Sequence, residues 1–332
     1  MSVEQLNQLN IEELIITLEN VLKILKQYSK VSNSSITFKE FVDYWFEAYA
    51  STAVKPSTQK RYRQLLKPAL RAIGNKPLNK VKPLDIQNIY IALAGTQSNC
   101  TILKLHRLLH EIFKHAQMWE YISDNPVKKV VPPTPEKKVF DVWDVETAKR
   151  FLEIIKDEPI YYPALIALHT GMRAGEILSL KWCDVNFETR VISIVKSERK
   201  NRGLKTVNLK TKTSKRAVYM NDILYKELKN LYEITKPKPD DFVCPRLPTG
   251  NLTVNYLSRK FKKLVKKHNF PLIRFHDLRH TFATLMLSLG VNTKIVAEIL
   301  GHSDIKLTAD TYSHVLPTMQ EEAMKEFVKL WK

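Results

Sequence analysis

The sequence predicts a mainly α-helical α+β chain with one small antiparallel β-sheet, and three observations carry that reading. Helical apolar spacing recurs behind N-cap residues from Phe38 to His115, and prolines and lysines break the pattern over Val130–Lys138. Two-residue alternation then appears in Arg190–Val195, Thr206–Lys210 and Arg216–Met220. At 332 residues the chain is long enough for two domains with their own cores. We expect an N-terminal amphipathic helix in 1–33, a helical domain in 34–128, a linker in 129–138 and a second domain in 139–332.

Each element has a local cause. Asn10 and Glu13 cap a first helix whose stripe is Ile11, Leu14, Ile15, Leu18, Leu22 and Leu25. So short a segment builds no core alone, so the stripe packs on the next domain or on another subunit. Ser32–Ser35 reads as a linker, and Thr37 with Glu40 forms a capping box that opens a helix over Phe38–Tyr49. A second helix follows Lys55-Pro-Ser57, with Ser57 as its cap, and a third follows Pro83-Leu-Asp85. The fourth runs from Ser98 through His115 toward Asn125-Pro126. In the second domain Asp144 caps Val145–Ile155, Tyr161–His169 forms another helix, and helices resume at Asp222 and Val254.

Charge narrows the partner. A net charge of +19 and a pI near 9.6 call for a polyanion, and no apolar run approaches the length of a membrane span, so nucleic acid is favoured over membrane. Lys55, Lys60 and Arg61, with Lys104, Arg107 and Lys114 on the fourth helix, are the candidate DNA-backbone contacts; a solvated charged face is the plainer alternative for each. The N-terminus carries Glu4, Glu12 and Glu13 rather than a basic patch before an apolar stretch, so a cytoplasmic, nucleoid-associated protein is expected. Cys100, Cys183 and Cys244 lack metal or disulfide spacing and read as buried thiols. His106, His110 and His115 find no carboxylate or cysteine to complete a ligand set, so no metal is expected.

The chemistry-bearing motifs concentrate in the last third. In Ile273-Arg-Phe-His276-Asp-Leu-Arg279-His280, His276 and Arg279 lie three apart, on one helix face, where both reach a single phosphate. Leu300-Gly-His302 follows, then Tyr312; upstream stands Thr170-Gly-Met-Arg173-Ala-Gly-Glu-Ile177. In this order the motifs resemble the tyrosine recombinase (phage integrase) family.

The resemblance implies a SAM-like core-binding domain at 34–128 and a catalytic domain ending in a docking helix, whose stripe is Met324, Phe327, Val328 and Trp331. The implied activity is site-specific DNA recombination through a 3′-phosphotyrosyl intermediate, for integration or excision of a phage or mobile element. Arg173 and Arg279 would bind the phosphate oxygens, since a planar fork of donors suits an anion that gains charge in the transition state. Tyr312 would be the nucleophile, with His276 as its general base. His302 would bond the scissile phosphate or help position Tyr312. The general acid for the leaving 5′ oxygen would be Lys210, with Lys212 as its rival. His280 and His314 fall off the pattern and read as structural. No cofactor is expected, because the arginines do the charge work. Implied partners are double-stranded DNA, further copies forming a tetramer on two duplexes, and an excisionase or DNA-bending host protein. The first segment is shorter than the family's separate arm-binding domain. A Xer-like chromosome-dimer resolvase and a regulator that has lost catalysis are the rival readings.

Overall fold

The cap at Thr37 forms as expected: its hydroxyl accepts from the Glu40 N–H while the Glu40 carboxylate accepts from the Thr37 N–H. The computed structural model describes residues 36–135, 140–194, 216–244, 252–302 and 304–312, with Met324, Phe327 and Val328. The expected helix in 1–33, the Thr206–Lys210 strand, Lys210, Lys212, His314 and Trp331 lie outside the described residues. The chain divides into two units, 1–138 and 139–332.

The first unit is helical: α1 (Phe38–Trp45), α2 (Pro56–Ile73), α3 (Pro83–Leu93) and α4 (Asn99–Met118). One wide turn of π-helix, Phe46–Ala50, continues α1. Ser57 is not the cap of α2; the helix starts at Pro56, whose fixed φ and missing N–H suit the first helical position, and Lys55 stands at its N-cap. The fourth helix also stops short of Asn125, at Met118, because Glu120 turns to a positive φ of 63°. That reversal lets Tyr121 reach the Phe41 ring edge-on, with ring centroids 5.1 Å apart. The core holds Phe38, Trp45, Leu66, Ile86, Leu105 and Phe113, with Phe38 and Phe113 stacked at 5.3 Å. Two of the histidines are absorbed here: Trp45 Nε1 donates to His115 Nδ1 at 2.6 Å, and the Tyr90 hydroxyl meets His106 Nδ1 at 3.1 Å.

The second unit mixes helices with a sheet. Its described elements are α5 (Val145–Ile154), α6 (Tyr161–Thr170), α7 (Ala174–Ile177), β1 (Val185–Asn186), β2 (Val191–Ile194), β3 (Arg216–Tyr219), α8 (Asp222–Thr235), α9 (Val254–Lys267), α10 (Asp277–Ser288), α11 (Thr293–Leu300) and α12 (Ile305–Thr311). The sheet runs β1-β2-β3, antiparallel throughout, with Ile192 opposite both Val185 and Val218. β1 has no counterpart in the sequence reading, since two residues are too few to show alternation. Rings of Trp143, Phe151, Phe261 and Phe270 fill the core beneath α5 and α9. Trp143 also ties the start of the unit to α10, its N–H donating to Thr281 Oγ1 at 3.2 Å. Of the cysteines, Cys244 is buried, Cys100 is partly covered and Cys183 is exposed, so the buried-thiol expectation holds for one and fails for Cys183.

Phe113 is fully buried against Phe38, so Phe113→Ala leaves a cavity that a helical bundle of this size cannot close. A loss of roughly 3–5 kcal/mol is expected in the first unit's unfolding transition, measured by urea titration.

Candidate active site

Two left-handed glycines fix the geometry. Gly171 (φ 63°) ends α6 and Gly301 (φ 67°) ends α11; each lies within a motif read from the sequence. Space as well as backbone angle demands glycine there. A Cβ on Gly171 would stand 2.6 Å from the Phe282 ring, and one on Gly301 would stand 2.7 Å from an Arg216 nitrogen. With their backbones turned this way, both carbonyls face guanidinium groups. Arg279 Nη1 donates to Gly171 O at 2.8 Å, and Arg173 Nη2 donates to Gly301 O at 3.2 Å.

A hydrogen-bonded chain leads on from Arg279. Its Nη2 lies 2.8 Å from His302 Nε2, and His302 Nδ1 lies 2.7 Å from Thr308 Oγ1. Arginine only donates, so Nε2 accepts, the proton of neutral His302 sits on Nδ1, and that N–H donates to Thr308. Burial, followed by the Arg279 and Arg173 charges, holds the His302 pKa down to about 4, which agrees with the neutral form. Thr308 belongs to α12, the helix that ends at Tyr312. Arg279 is 2 % exposed, and burial with neighbouring Arg173 pushes its pKa down to about 9, still cationic at neutral pH.

Arg173 and Arg279 thus meet His302 and Tyr312 in one cluster. Tyr312 is buried with Phe282, Leu287, Val296 and Leu300. Burial drives its phenol up to about 12, against the pull of the Arg279 charge. Its hydroxyl lies 2.8 Å from Nδ1 of His280, the histidine read from the sequence as structural. His276 is exposed at the N-cap of α10, its ring 5.2 Å from that of His280.

Glu176 and Arg216 complete the cluster, and neither was read from the motifs as having a role in the chemistry. Glu176 Oε1 accepts from Arg173 Nη1 at 3.0 Å, while Oε2 accepts from Arg216 Nη2 at 2.7 Å. Arg216 also donates through Nε to Ile299 O at 2.7 Å, fastening β3 to α11. Burial alone would raise the Glu176 carboxyl; the Arg216 and Arg173 hydrogen bonds and charges outweigh it and hold the pKa at about 2. Its spacing from Arg173 signals a helical pair, but nothing local points to Arg216, forty positions on in a different element.

In the first unit, Arg61, Lys104 and Arg107 share the wall of one cleft of about 420 Å³ with Trp45, Tyr49 and Tyr62. Lys55, Lys60 and Lys114 are exposed as well but do not line it.

Two guanidinium groups, Arg279 buried and Arg173 part-exposed, stand beside a buried tyrosine, a set of donors that suits an anion. Residues 142–319 match the phage integrase family, and residues 37–94 match the family's N-terminal SAM-like domain. The chain belongs to the phage integrase family of tyrosine recombinases. It is 29 % identical over 340 residues to a XerC-like tyrosine recombinase of Caldanaerobacter subterraneus subsp. tengcongensis, covering 92 % of this chain and 86 % of that one. It is 30 % identical over 239 residues to the ICEBs1 integrase of Bacillus subtilis, covering 68 % of this chain and 64 % of the relative. In fold it is similar to an integrase of the Tn1549 transposon solved with transposon right-end DNA, at a TM-score of 0.75, 24 % identity, 88 % of this chain and 100 % of that one.

Because the folded carboxyl of Glu176 titrates below its ordinary value of 4.5, its contribution is complete above that pH and is lost as pH falls toward 2. The shift corresponds to about 3 kcal/mol. Urea denaturation between pH 6 and pH 2 is expected to show a steeper loss of stability in the wild type than in Glu176→Gln.

Proposed function

We propose that this chain is a site-specific DNA recombinase that breaks and rejoins DNA through a phosphotyrosyl bond at Tyr312. The observation that carries the reading is the convergence of Arg173, Arg279 and His302 on the site that holds the Tyr312 hydroxyl. In this reading a scissile phosphate displaces the carbonyl contacts of the two arginines and takes their donors instead. Charge-assisted bonds then strengthen as the transition state gathers charge. The hydrogen-bond chain from Arg279 through His302 to Thr308 supports His302 as the link between the phosphate site and the helix that ends at Tyr312. His276, exposed at the N-cap of α10, is our candidate for a contact to the DNA, and Lys210 remains our choice for the general acid. The ester formed keeps the energy of the broken linkage, so rejoining needs no nucleotide cofactor.

The first unit is the core-binding half, with the basic cleft of Arg61, Lys104 and Arg107 meeting the DNA backbone and its aromatic walls backing the contact. The active assembly is a tetramer on two duplexes, supported by exposed Met324, Phe327 and Val328 near the C-terminal end. An excisionase or DNA-bending host protein sets direction, and the enzyme acts on nucleoid DNA in the cytoplasm. Integration or excision of a mobile element is the favoured role, in line with the integrase relative. The XerC-like relative favours a second reading, a chromosome-dimer resolvase, and sequencing recombination junctions formed in cells separates the two.

With a nicked suicide duplex carrying the junction sequence taken from DNA flanking the gene, wild-type protein should become covalently attached and Tyr312→Phe should not. Covalent attachment by Tyr312→Phe at the wild-type rate contradicts the assignment. Alanine at Lys104 or Arg107 is expected to weaken binding to all sequences alike. Each should lower the slope of log affinity against log salt by about one.

A further inference from the structure

We propose that His280 is a catalytic residue of this enzyme, holding the Tyr312 hydroxyl for attack and taking its proton. This rests on the reading of Tyr312 as nucleophile and replaces His276 in the part that the family resemblance implied for it. The two histidines sit one helical turn apart, and the fold treats them differently. His276 is exposed at the start of α10, whereas His280 is half-buried, with Nδ1 2.8 Å from the Tyr312 oxygen.

The His280 ring is held on several sides. Phe140 stacks on its face at 4.3 Å and 15°, and His276 meets it edge-on at 5.2 Å and 89°. Arg274 also lies over the Phe140 ring, its guanidinium carbon 5.7 Å from the ring centre. A side chain that merely filled space at this helix position would need no such orientation of one ring nitrogen toward one phenol. The charged and titratable groups around it are His276, Asp277, Arg274 and Arg279, with His302 and Tyr312 nearby. Burial, then His276 and the two arginines, hold the imidazole down to about 4 against the opposing pull of Asp277. At neutral pH it is therefore a free base, able to accept a proton.

The step balances. With its own proton on Nε2, His280 receives the phenol O–H at Nδ1. As the tyrosine oxygen bonds to phosphorus, the O–H bond breaks and its proton passes to Nδ1. The phosphorus–5′-oxygen bond then breaks, and the 5′ oxygen takes a proton from the general acid, assigned to Lys210. In rejoining, the 5′ hydroxyl gives its proton back to that acid's conjugate base, the tyrosyl–phosphorus bond breaks, and the imidazolium returns its proton to the phenolate. Negative charge gathering at phosphorus stabilises the imidazolium, which offsets the burial that keeps His280 neutral at rest.

The test uses the full chain and two nicked suicide duplexes with the junction sequence taken from DNA flanking the gene. One carries the natural linkage, and the other a 5′-bridging phosphorothiolate, whose thiolate departs without a general acid. His280→Ala is expected to slow covalent attachment by ~10²–10⁴ on both substrates while shifting the duplex normally in gels, and added imidazole should restore part of the rate. His280→Gln keeps a hydrogen-bonding group but takes no proton, so it should fold, bind DNA and remain slow with or without imidazole. Wild-type rates in His280→Gln overturn the proposal, as does recovery of His280→Ala on the phosphorothiolate, which would place the histidine on the leaving-group side. Attachment by Tyr312→Phe would instead overturn the underlying reading, whatever the His280 variants do.

Discussion

One carboxylate makes this site possible. Arg173, Arg216 and Arg279 crowd into a partly dry space, where like charges repel far more strongly than in water. Glu176 bonds two of the three directly, and its charge also favours the cationic form of the third. Three guanidinium groups and one carboxylate leave two positive charges. In the proposed reaction a phosphodiester would bring one negative charge and its pentacoordinate transition state a second, so the site would match the transition state better than the ground state. Arg274 and Asp277 stand beside this cluster as a closed pair, with Nη2 and Oδ1 2.6 Å apart, and leave that balance unaltered.

The arginines reach their places through backbone, not through side-chain packing alone. Gly171 and Gly301 each end a helix in the left-handed conformation, and each presents a carbonyl to the guanidinium contributed by the neighbouring loop or helix. The exchange is reciprocal: α10 sends Arg279 to the turn that precedes Arg173, and Arg173 answers at the turn that carries His302. Any shift of α6 against α10 or α11 would therefore disturb both phosphate-binding candidates at once. The Arg216 bond to Ile299 O adds the sheet to the same lattice. This explains why a small three-stranded sheet matters to a site otherwise built of helices.

Much of this was legible in the residues. Capping chemistry located Thr37 and Asp144 as helix starts, because a side-chain acceptor three residues from an amide is a local signal. Motif spacing singled out Arg173, Arg279, His302 and Tyr312, which the fold brings together. What stayed hidden depends on long-range contact. Glu176 bridging to Arg216 joins residues forty apart, and the choice between His276 and His280 turns on which nitrogen a tyrosine thirty-two residues away approaches. Ser57 misled because a good cap residue stood beside a proline that needed no cap. β1 escaped because pairing with β2, not its own pattern, makes it a strand.

The same polar commitments set the energetic terms of DNA binding. At rest the donors of part-exposed Arg173 and buried Arg279 are occupied by carbonyls, by Glu176 and by His302, so neither charge is left unsatisfied. A phosphate that takes those donors replaces neutral acceptors by an ionic one, and such bonds are roughly twice as strong. Arg279 keeps its bond to His302 in that exchange, so the neutral imidazole stays tied to the helix that ends at Tyr312. A site preset with internally bonded arginines would exchange neutral acceptors for an anion at the place where a reaction that accumulates negative charge requires cationic donors.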